Sequence, residues 1–147
     1  MIHVPFVVGQ TYERQADLHD RYGGQRQGGI STPANAPFVF LFTADSGEHY
    51  GYSDGWSGPS VFLYTGEGQV GDMEFVRGNR RIRDHATAGK TLLLFQKVGK
   101  GRGYEFIGQF ACSDWEKRVG PDRKGDTRDV IVFHLKPVVA SAVAPAT

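Results

Sequence analysis

The sequence concentrates flat aromatic rings and hydrogen-bonding groups in one glycine-rich stretch, residues 51–71. Tyrosine and tryptophan rings offer stacking faces, a carboxylate and a hydroxyl offer hydrogen bonds, and glycine lets the backbone approach a ligand closely. Such a set suits a planar, polar guest such as a nucleobase. The alternative is an ordinary hairpin whose aromatic side chains fill the core. The residues that could form the pocket are Tyr52, Asp54, Trp56, Tyr64, Thr65 and Gly66.

Strands must position this pocket, because short apolar segments alternate with glycine and proline turns along most of the chain. Residues 61–64 are predicted as the strand between the two glycine-rich turns of the pocket. Residues 38–43 form a continuous apolar run, which is typical of a strand buried on both faces. Further strands are predicted over residues 91–97, 104–110 and 130–135.

The other segments are predicted to be short helices and loops. Residues 12–22 have only a weak apolar stripe, so they form either a polar surface helix or a loop. A short helix is expected over residues 80–88, and residues 4–8 are expected to be extended. Residues 113–127 are rich in charge and are predicted to form a loop.

Length and composition limit the class of protein. The 147 residues fit one domain with a sizeable core, and 20 glycines with 7 prolines favour short strands over long helices. The single cysteine, Cys112, excludes an internal disulfide and fits a reducing compartment. No apolar run is long enough to span a bilayer, and no signal-peptide pattern is present. We therefore expect a cytoplasmic domain without membrane contact.

The net charge of +1 hides an uneven distribution. Residues 1–76 carry three basic against nine acidic side chains, whereas residues 77–128 carry thirteen Lys or Arg against six Asp or Glu. Arginine makes bidentate contacts with phosphate, so the basic segment predicts contact with a nucleic-acid backbone. The alternative is an ordinary solvated, charged surface. Four arginines fall within seven residues, namely Arg77, Arg80, Arg81 and Arg83.

No set of residues in the sequence is typical of an active site. The five histidines and Cys112 lack the spacing of a zinc site, and no Gly-x-Ser-x-Gly motif is present. The Asp84-His85 pair is better explained as a charge and a partly exposed histidine at a helix end. We therefore expect no cofactor, no metal and no catalytic activity in this domain.

Several short motifs, taken in order, resemble those of SRA (SET- and RING-associated) domains. Phe-Leu-Tyr-Thr-Gly-Glu-Gly at residues 62–68, followed by a Gly-Asp, is similar to that family's Tyr-Thr-Gly-x-Gly-Gly turn. Tyr-Ser-Asp-Gly at residues 52–55 resembles its Tyr-Glu-Asp-Asp segment. Weaker matches to its opening turn, its Ala-Gly-Ile, its helix start and its last two strands lie at residues 8–11, 28–30, 77–82, 89–90 and 103–108. The seven pieces cover most of the chain.

The resemblance implies a mainly β (α+β) fold, a PUA-like twisted and partly closed β-barrel with one or two short helices over residues 1–136. Residues 137–147 would then be a linker or tail leading to a further domain. SRA domains bind duplex DNA that contains 5-methylcytosine, or another C5-modified cytosine, by flipping the base out of the helix. The implied partner is therefore double-stranded DNA with a modified cytosine.

The resemblance also implies roles for the pocket residues. Tyr52 and Tyr64 would sandwich the flipped base, with Trp56 as a possible replacement for Tyr52. Asp54 would accept a hydrogen bond from the exocyclic amine of cytosine, and would reject thymine, which has a carbonyl there. Thr65 and Gly66 would meet the carbonyl edge of the base or the flipped phosphate.

Loop residues receive roles by the same resemblance. The SRA loop that matches residues 23–37 enters the minor groove, so Gln27 would fill the gap left by the flipped base. Residues 69–75, where the family carries a base-reading finger in the major groove, are short and acidic here, so a long finger is not expected. The predicted DNA-contacting residues are Gln25, Arg26, Gln27, Arg77, Asn79, Arg80, Arg81 and Arg83.

The combination of a modified-base reader and a linker-like tail suggests a bacterial modification-dependent restriction system, with an HNH-type nuclease domain further along the protein. Two alternatives stay open at this point. One is a PUA-like reader of modified RNA or of single-stranded nucleic acid. The other is a small nucleotide-modifying enzyme that uses Asp54 or His85 as a base.

Overall fold

A computed structural model describes residues 4–26, 28–44, 54–99 and 103–138. Within these ranges the chain is mainly β. The strands are β1 (Thr11–Glu13), β2 (Ile30–Ser31), β3 (Phe38–Thr43), β4 (Gly55–Trp56), β5 (Phe62–Thr65), β6 (Thr91–Lys97), β7 (Gly103–Pro121) and β8 (Thr127–Pro137). The helical elements are a π-helical segment (Arg14–His19), α1 (Asp20–Tyr22) and α2 (Arg77–Arg83).

The strands form one twisted sheet in the order β2-β3-β6-β7-β8-β5-β4, with β1 paired to β7. Strands β3 and β6 run parallel, and the other pairs are antiparallel. The sheet is not closed over the described strands, whose order ends at β2 and β4. The predicted mainly β fold with short helices is confirmed.

Strand β3 lies at the centre of the packing because all six of its residues are buried. Successive side chains of a strand point to opposite faces, so β3 contributes to two hydrophobic clusters. One cluster, here called the phenylalanine core, consists of Phe6, Leu18, Ala36, Phe38, Phe40, Phe42, Leu93, Phe95 and Phe106. The other, here called the mixed core, consists of Ile30, Val39, Leu41, Phe62, Tyr64, Met73, Ile82, Leu92, Leu94, Phe110, Val130, Ile131, Val132, Phe133 and Leu135.

The long hairpin formed by β7 and β8 differs from the prediction. Residues 113–127 were expected to be a charged loop, but β7 continues to Pro121, and only residues 122–126 separate it from β8. The pairing runs without interruption from Asp114 opposite His134 to Pro121 opposite Thr127. The charged side chains therefore lie along a paired strand, because the apolar β8 holds its partner in register.

The N-terminal prediction was partly wrong. Residues 12–22, expected to be a helix or a loop, divide into the end of β1, the π-helical segment and α1. The Asp17 carboxylate accepts a hydrogen bond from the Glu13 backbone N–H at 2.7 Å, which ties the start of the π-helical segment to its first turn. Leu18 is fully buried in the phenylalanine core, which anchors the segment to the sheet.

Helix α2 begins at Arg77, three residues before the predicted start, and ends at Arg83. Its buried face consists of Gly78, Asn79 and Ile82, at helical spacing. The four arginines therefore lie on the exposed face. None of the helices in the described ranges is long and apolar enough to cross a membrane. Of the predicted tail, Pro137 ends β8, and residues 139–147 lie outside the described ranges.

Candidate nucleic-acid interface

A cavity of about 900 Å³ opens between the loop before β2 and the segment that joins β5 to α2. One wall comes from Gln25, Gly28, Gly29, Ile30 and Thr32. The rest comes from Phe42 at the end of β3, from Asp54, and from several residues between 64 and 81. Of the predicted pocket residues, the cavity brings together Asp54, Tyr64, Thr65 and Gly66. Cavities of ~300–1,000 Å³ with a few fixed polar groups are typical ligand sites.

The Asp54 carboxylate is held in a fixed orientation at this cavity. One oxygen, Oδ2, accepts a hydrogen bond from the Thr43 hydroxyl at 2.6 Å. The other, Oδ1, accepts one from the Thr65 backbone N–H at 2.7 Å. A carboxylate accepts hydrogen bonds at both of its oxygens, so Asp54 has the chemistry that recognises an amine, and these two contacts fix its orientation at the cavity. The two protein donors also reduce the conformational entropy that ligand binding would cost.

Tyr64 lines the cavity, but its side chain does not present the open stacking face that was expected. The residue is 2% exposed. Two backbone carbonyl oxygens lie within reach of the Tyr64 hydroxyl proton, that of Gly29 at 2.7 Å and that of Phe42 at 3.0 Å. Burial, with the negative charges of Asp54 and Glu67 nearby, raises the pKa of the Tyr64 hydroxyl well above its ordinary value. Tyr64 is thus a neutral, anchored part of the cavity wall.

The other two predicted aromatic faces are not part of this wall. Trp56 in β4 is 50% exposed and packs edge-on against Phe62, with ring centroids 5.4 Å apart, and beside Phe110 at 5.9 Å. It is not among the residues that line the cavity. In this structure Trp56 packs against the Phe62 ring, and its role as a stacking face stays a prediction. Tyr52 lies outside the described residues.

The turn after Tyr64 is shaped by the buried amide of Asn79, which is 1% exposed. Asn79 Oδ1 accepts the Glu67 backbone N–H at 2.8 Å, and its Nδ2 donates to the carbonyls of Glu67 and Glu74 at 2.9 and 3.0 Å. A Cβ at Gly66 would stand 2.8 Å from Asn79 Oδ1, so the turn requires glycine there. Asn79 also lines the cavity, and its predicted contact with DNA stays a prediction, although its buried amide is engaged by three backbone groups.

The arginines of α2 divide into two kinds. Arg77 and Arg81 line the cavity, and Arg80 and Arg81 line a neighbouring cleft of about 200 Å³. Arg83 instead pairs with Asp84 at 2.8 Å, and its guanidinium lies 4.8 Å from the Phe75 ring centroid. The hydrogen bond with Asp84 raises the pKa of Arg83. Arg83 is therefore less available to a phosphate than its neighbours.

The backbone of Arg77 adopts an unusual conformation. Its φ is +49°, in the left-handed region that non-glycine residues rarely adopt. The next residue, Gly78, donates its N–H to Glu67 Oε2 at 3.0 Å, and a Cβ there would meet that oxygen at 2.6 Å and Ile30 at 2.9 Å. This close approach of α2 to the Glu67 carboxylate fixes where the helix begins at the cavity.

The predicted minor-groove loop is organised by internal contacts. Gln25 lines the cavity, and its Oε1 accepts the Thr32 backbone N–H at 2.8 Å. Arg26 pairs with Asp20 at 2.8 Å and donates to Gln15 Oε1 at 2.9 Å. Its guanidinium is therefore already engaged by side chains of the protein. Gln27 lies outside the described residues.

Sequence reasoning missed Arg14, which organises this loop. Its Nη1 donates to the Gly28 carbonyl at 2.8 Å and its Nη2 to that of Gln25 at 3.0 Å. The guanidinium lies 3.8 Å from the centroid of the Phe42 ring, a cation–π contact. Burial lowers the pKa of Arg14. Nothing in the local sequence distinguishes this arginine from an ordinary surface residue.

Sequence reasoning also missed the part of the β7–β8 hairpin that reaches the cavity rim. The Asp122 carboxylate accepts the Gly71 backbone N–H at 3.0 Å, and Arg128 Nη1 donates to the carbonyls of Gly68 and Gly71 at 3.1 and 2.8 Å. The Pro-Asp-Arg-Lys-Gly sequence at residues 121–125 is a turn signal that could have revealed the hairpin. That this hairpin contacts Gly68 and Gly71 could not have been predicted from the sequence.

The open sheet and its cavity, which is lined by four carboxylates and two arginines, define a small β domain with a candidate ligand site. The described residues contain no group of three or more potential metal-binding side chains. Residues 8–145 match the model of the ScoMcrA-like SRA domain family. The chain belongs to that family. None of the curated proteins searched matches this chain.

Solved structures agree with this assignment. The chain is similar to the sulfur-binding and SRA domains of ScoMcrA complexed with phosphorothioated DNA, with 24% identity and a TM-score of 0.73, over 92% of this chain and 40% of that one. It resembles the SUVH5 SRA domain in complex with fully methylated CG DNA, with 19% identity and a TM-score of 0.68, over 98% and 97%. It also resembles the MspJI restriction endonuclease in complex with a 27-mer oligonucleotide, with 18% identity and a TM-score of 0.64, over 82% and 35%.

Proposed function

We propose that this domain binds double-stranded DNA containing a C5-modified cytosine, 5-methylcytosine first among them, by flipping the base into the 900 Å³ cavity. The observation that carries the proposal is the fixed Asp54 carboxylate, which Thr43 and Thr65 orient at the cavity. It can accept the exocyclic amine of cytosine and would face an acceptor on thymine. Family membership and two structural neighbours in complex with modified DNA, one phosphorothioated and one fully methylated at CG, support modified DNA as the broader ligand class.

Energetics place limits on this mode of binding. Extracting a base costs a few kcal/mol of pairing and stacking, and each aromatic stacking partner returns roughly 1–3 kcal/mol. We propose Tyr52 as one stacking face. Tyr64 is 2% exposed, so it would act as the second face only if its ring became more accessible when DNA binds. A buried methyl group adds about 0.8 kcal/mol. The preference for methylated over unmodified cytosine should therefore be several-fold rather than absolute.

Asp54→Asn tests the proposal directly. The variant keeps the shape of the side chain but replaces one acceptor oxygen by a donor, so it should lose the preference for modified cytosine over thymine at the same position. Binding would be measured by fluorescence anisotropy on duplexes that differ at a single base. Glu105→Gln, the same chemical change on β7 away from the cavity, is the control. Unaltered discrimination in Asp54→Asn would show that the base is read elsewhere.

The same assay separates the remaining functions. Tighter binding to modified RNA or to the single strand than to the duplex would favour a PUA-like reader of those ligands over base flipping. Turnover of a free methylated nucleoside, lost in Asp54→Ala, would favour an enzyme. We propose no catalytic role for this domain.

We also propose that the domain is the targeting part of a modification-dependent restriction system, with residues 1–136 as the reader and a nuclease domain elsewhere in the protein. Support comes from two neighbours that are restriction endonucleases, ScoMcrA and MspJI, of which this chain covers 28% and 35%. Cleavage of methylated but not unmethylated plasmid by the full-length protein would test it. Cleavage that does not depend on methylation would contradict it.

A further inference from the structure

The rim of the cavity is attached to the distant turn of the β7–β8 hairpin. Arg123 donates its backbone N–H to the Gln69 carbonyl at 2.7 Å, and its Nη1 donates to Gln69 Oε1 at 2.7 Å. Gln69 lines the cavity. The hairpin turn, residues 122–126, is therefore in direct contact with the wall that would face the ligand.

The attachment continues along the rim. The Met73 backbone N–H donates to the Asp129 carbonyl at 3.0 Å, and the Asp129 N–H donates to Asp72 Oδ1 at 2.7 Å. With the Asp122 and Arg128 contacts, residues 68–74, here called the rim segment, are bound to one hairpin at Gly68, Gln69, Gly71, Asp72 and Met73. Two of the four anchors, Asp122 and Arg128, are buried polar side chains, 5% and 3% exposed.

The turn is closed by its own hydrogen bonds. Asp122 Oδ1 accepts the backbone N–H groups of Lys124 at 2.8 Å and Asp126 at 3.0 Å, and Gly125 supplies the positive φ of +88° that the turn needs. These backbone donors, with that of Gly71 foremost, lower the pKa of the Asp122 carboxyl. The carboxylate is thereby committed to the protein, while the side chains of Arg123 and Lys124 are exposed.

The charges of the rim and of the turn are opposite in sign. The rim segment carries Asp72 and Glu74, and it has no basic residue between 68 and 76. A phosphate approaching that rim would meet carboxylates, whereas one approaching the adjoining turn would meet Arg123 and Lys124. The Lys124 ammonium has no hydrogen-bond or ion-pair partner within the described residues. Exposed cations on a turn that is bonded to the cavity rim are what contact with duplex phosphates requires.

We propose that the turn of the β7–β8 hairpin, through Arg123 and Lys124, is a second DNA-contacting surface that binds phosphates of the duplex beside the flipped nucleotide. This inference rests on the proposed function. The hairpin provides the backbone contact that the short, acidic rim cannot provide. Buried Arg128 acts as a positioning residue that keeps the turn against the rim.

Lys124→Ala is the cleanest test, because only the backbone of Lys124 takes part in the turn. Losing one phosphate contact should reduce the salt-dependence slope of log K by about 1, and the Arg123→Ala/Lys124→Ala pair should reduce it by about 2. Affinity at low salt should fall several-fold in the single variant, equally for modified and unmodified duplexes. Lys97→Ala/Lys136→Ala removes the same charge away from the cavity, and its slope should stay close to that of the unaltered protein.

Each outcome of these measurements either supports or overturns the inference. A slope that does not change in Lys124→Ala or in the pair, or that changes equally in the control pair, overturns the inference. Loss of base preference without a change in slope would make the turn a base reader and would also overturn it. If Asp54→Asn retains full discrimination while the turn variants lower the slope, the proposed base pocket fails and the phosphate surface stands. Thermal melting of each variant checks that the turn still folds.

Discussion

The two faces of β3 lead to regions of different character. On one side Phe38, Phe40 and Phe42 enter the phenylalanine core, in which six of nine residues are phenylalanine. The rings of Phe38, Phe42 and Phe95 lie 5.9 to 6.4 Å from that of Phe40. On the other side Val39 and Leu41 enter the mixed core, which lies under the cavity. The first region is held mainly by ring packing, and of its members only Phe42, which contacts Arg14, also lines the cavity.

The mixed core is interrupted by polar side chains that hold irregular backbone. Tyr64, Asn79 and Arg128 are each at most 3% exposed, and each bonds backbone carbonyls of the cavity wall. Buried polar groups are stabilising only while their hydrogen bonds are complete. One face of the sheet therefore mainly stabilises the fold, whereas the other carries buried polar groups that shape a candidate ligand site. The predictions below separate these two tasks.

The largest effect is expected from Phe40→Ala in the phenylalanine core. Phe40 is fully buried, so the truncation should lower the free energy of unfolding by about 3–5 kcal/mol. The preference for modified cytosine should not change in the fraction that remains folded. Urea unfolding gives the first quantity and duplex binding below the transition gives the second. A loss of preference in folded protein would mean that the two faces are not independent.

A smaller loss of stability is expected from Asn79→Ala under the cavity, and here binding should suffer as well. The change leaves the N–H and C=O of Glu67 and the C=O of Glu74 without their amide partner. Unmade hydrogen bonds of buried groups cost roughly 1–3 kcal/mol. Because the Gly66 turn loosens, affinity for modified DNA should fall too. Asn35→Ala, at an exposed asparagine, is the control; equal effects in the two variants would contradict a positioning role for Asn79.

Tyr64→Phe should lower stability by about 1–2 kcal/mol, because the Gly29 and Phe42 carbonyls lose their donor. The pKa of Tyr64 is raised in the folded protein, so its contribution is complete below the ordinary tyrosine pKa of about 10 and is lost as pH rises above it. The unaltered protein should therefore lose stability above pH ~10 more steeply than Tyr64→Phe. Melting curves from pH 8 to 11, with Tyr22→Phe as control, measure this difference. Parallel curves would argue against an anchored neutral hydroxyl.

The smallest effect distinguishes two arginines of the same helix. Arg81→Ala should weaken binding of modified and unmodified duplexes alike and reduce the salt slope by about 1, since Arg81 lines the cavity. Arg83→Ala should change the slope less, because Arg83 is paired with Asp84. Exposed pairs of this kind contribute roughly 0–1 kcal/mol to stability. Equal slopes for the two variants would show that the Asp84 pair opens when DNA binds.

Some of this protein was determined by the sequence alone. The apolar runs of β3 and β6 predicted strands with the bounds observed, because a strand buried on both faces leaves a local signature. Short motifs such as that at residues 62–68 indicated the SRA family, and the family model confirmed it. The mainly β class followed from glycine and proline spacing.

Only the tertiary structure determined the contacts between residues far apart in the chain. The Tyr64 hydroxyl bonds carbonyls 35 and 22 residues away, and Arg128 reaches Gly68 across 60 residues, so these side chains became anchors rather than exposed ligands. The type of a residue limits which hydrogen bonds its side chain can make, and the fold determines which partner it contacts. Asn79 and Arg81 both had the chemistry to bind DNA, and burial left only the arginine at the surface.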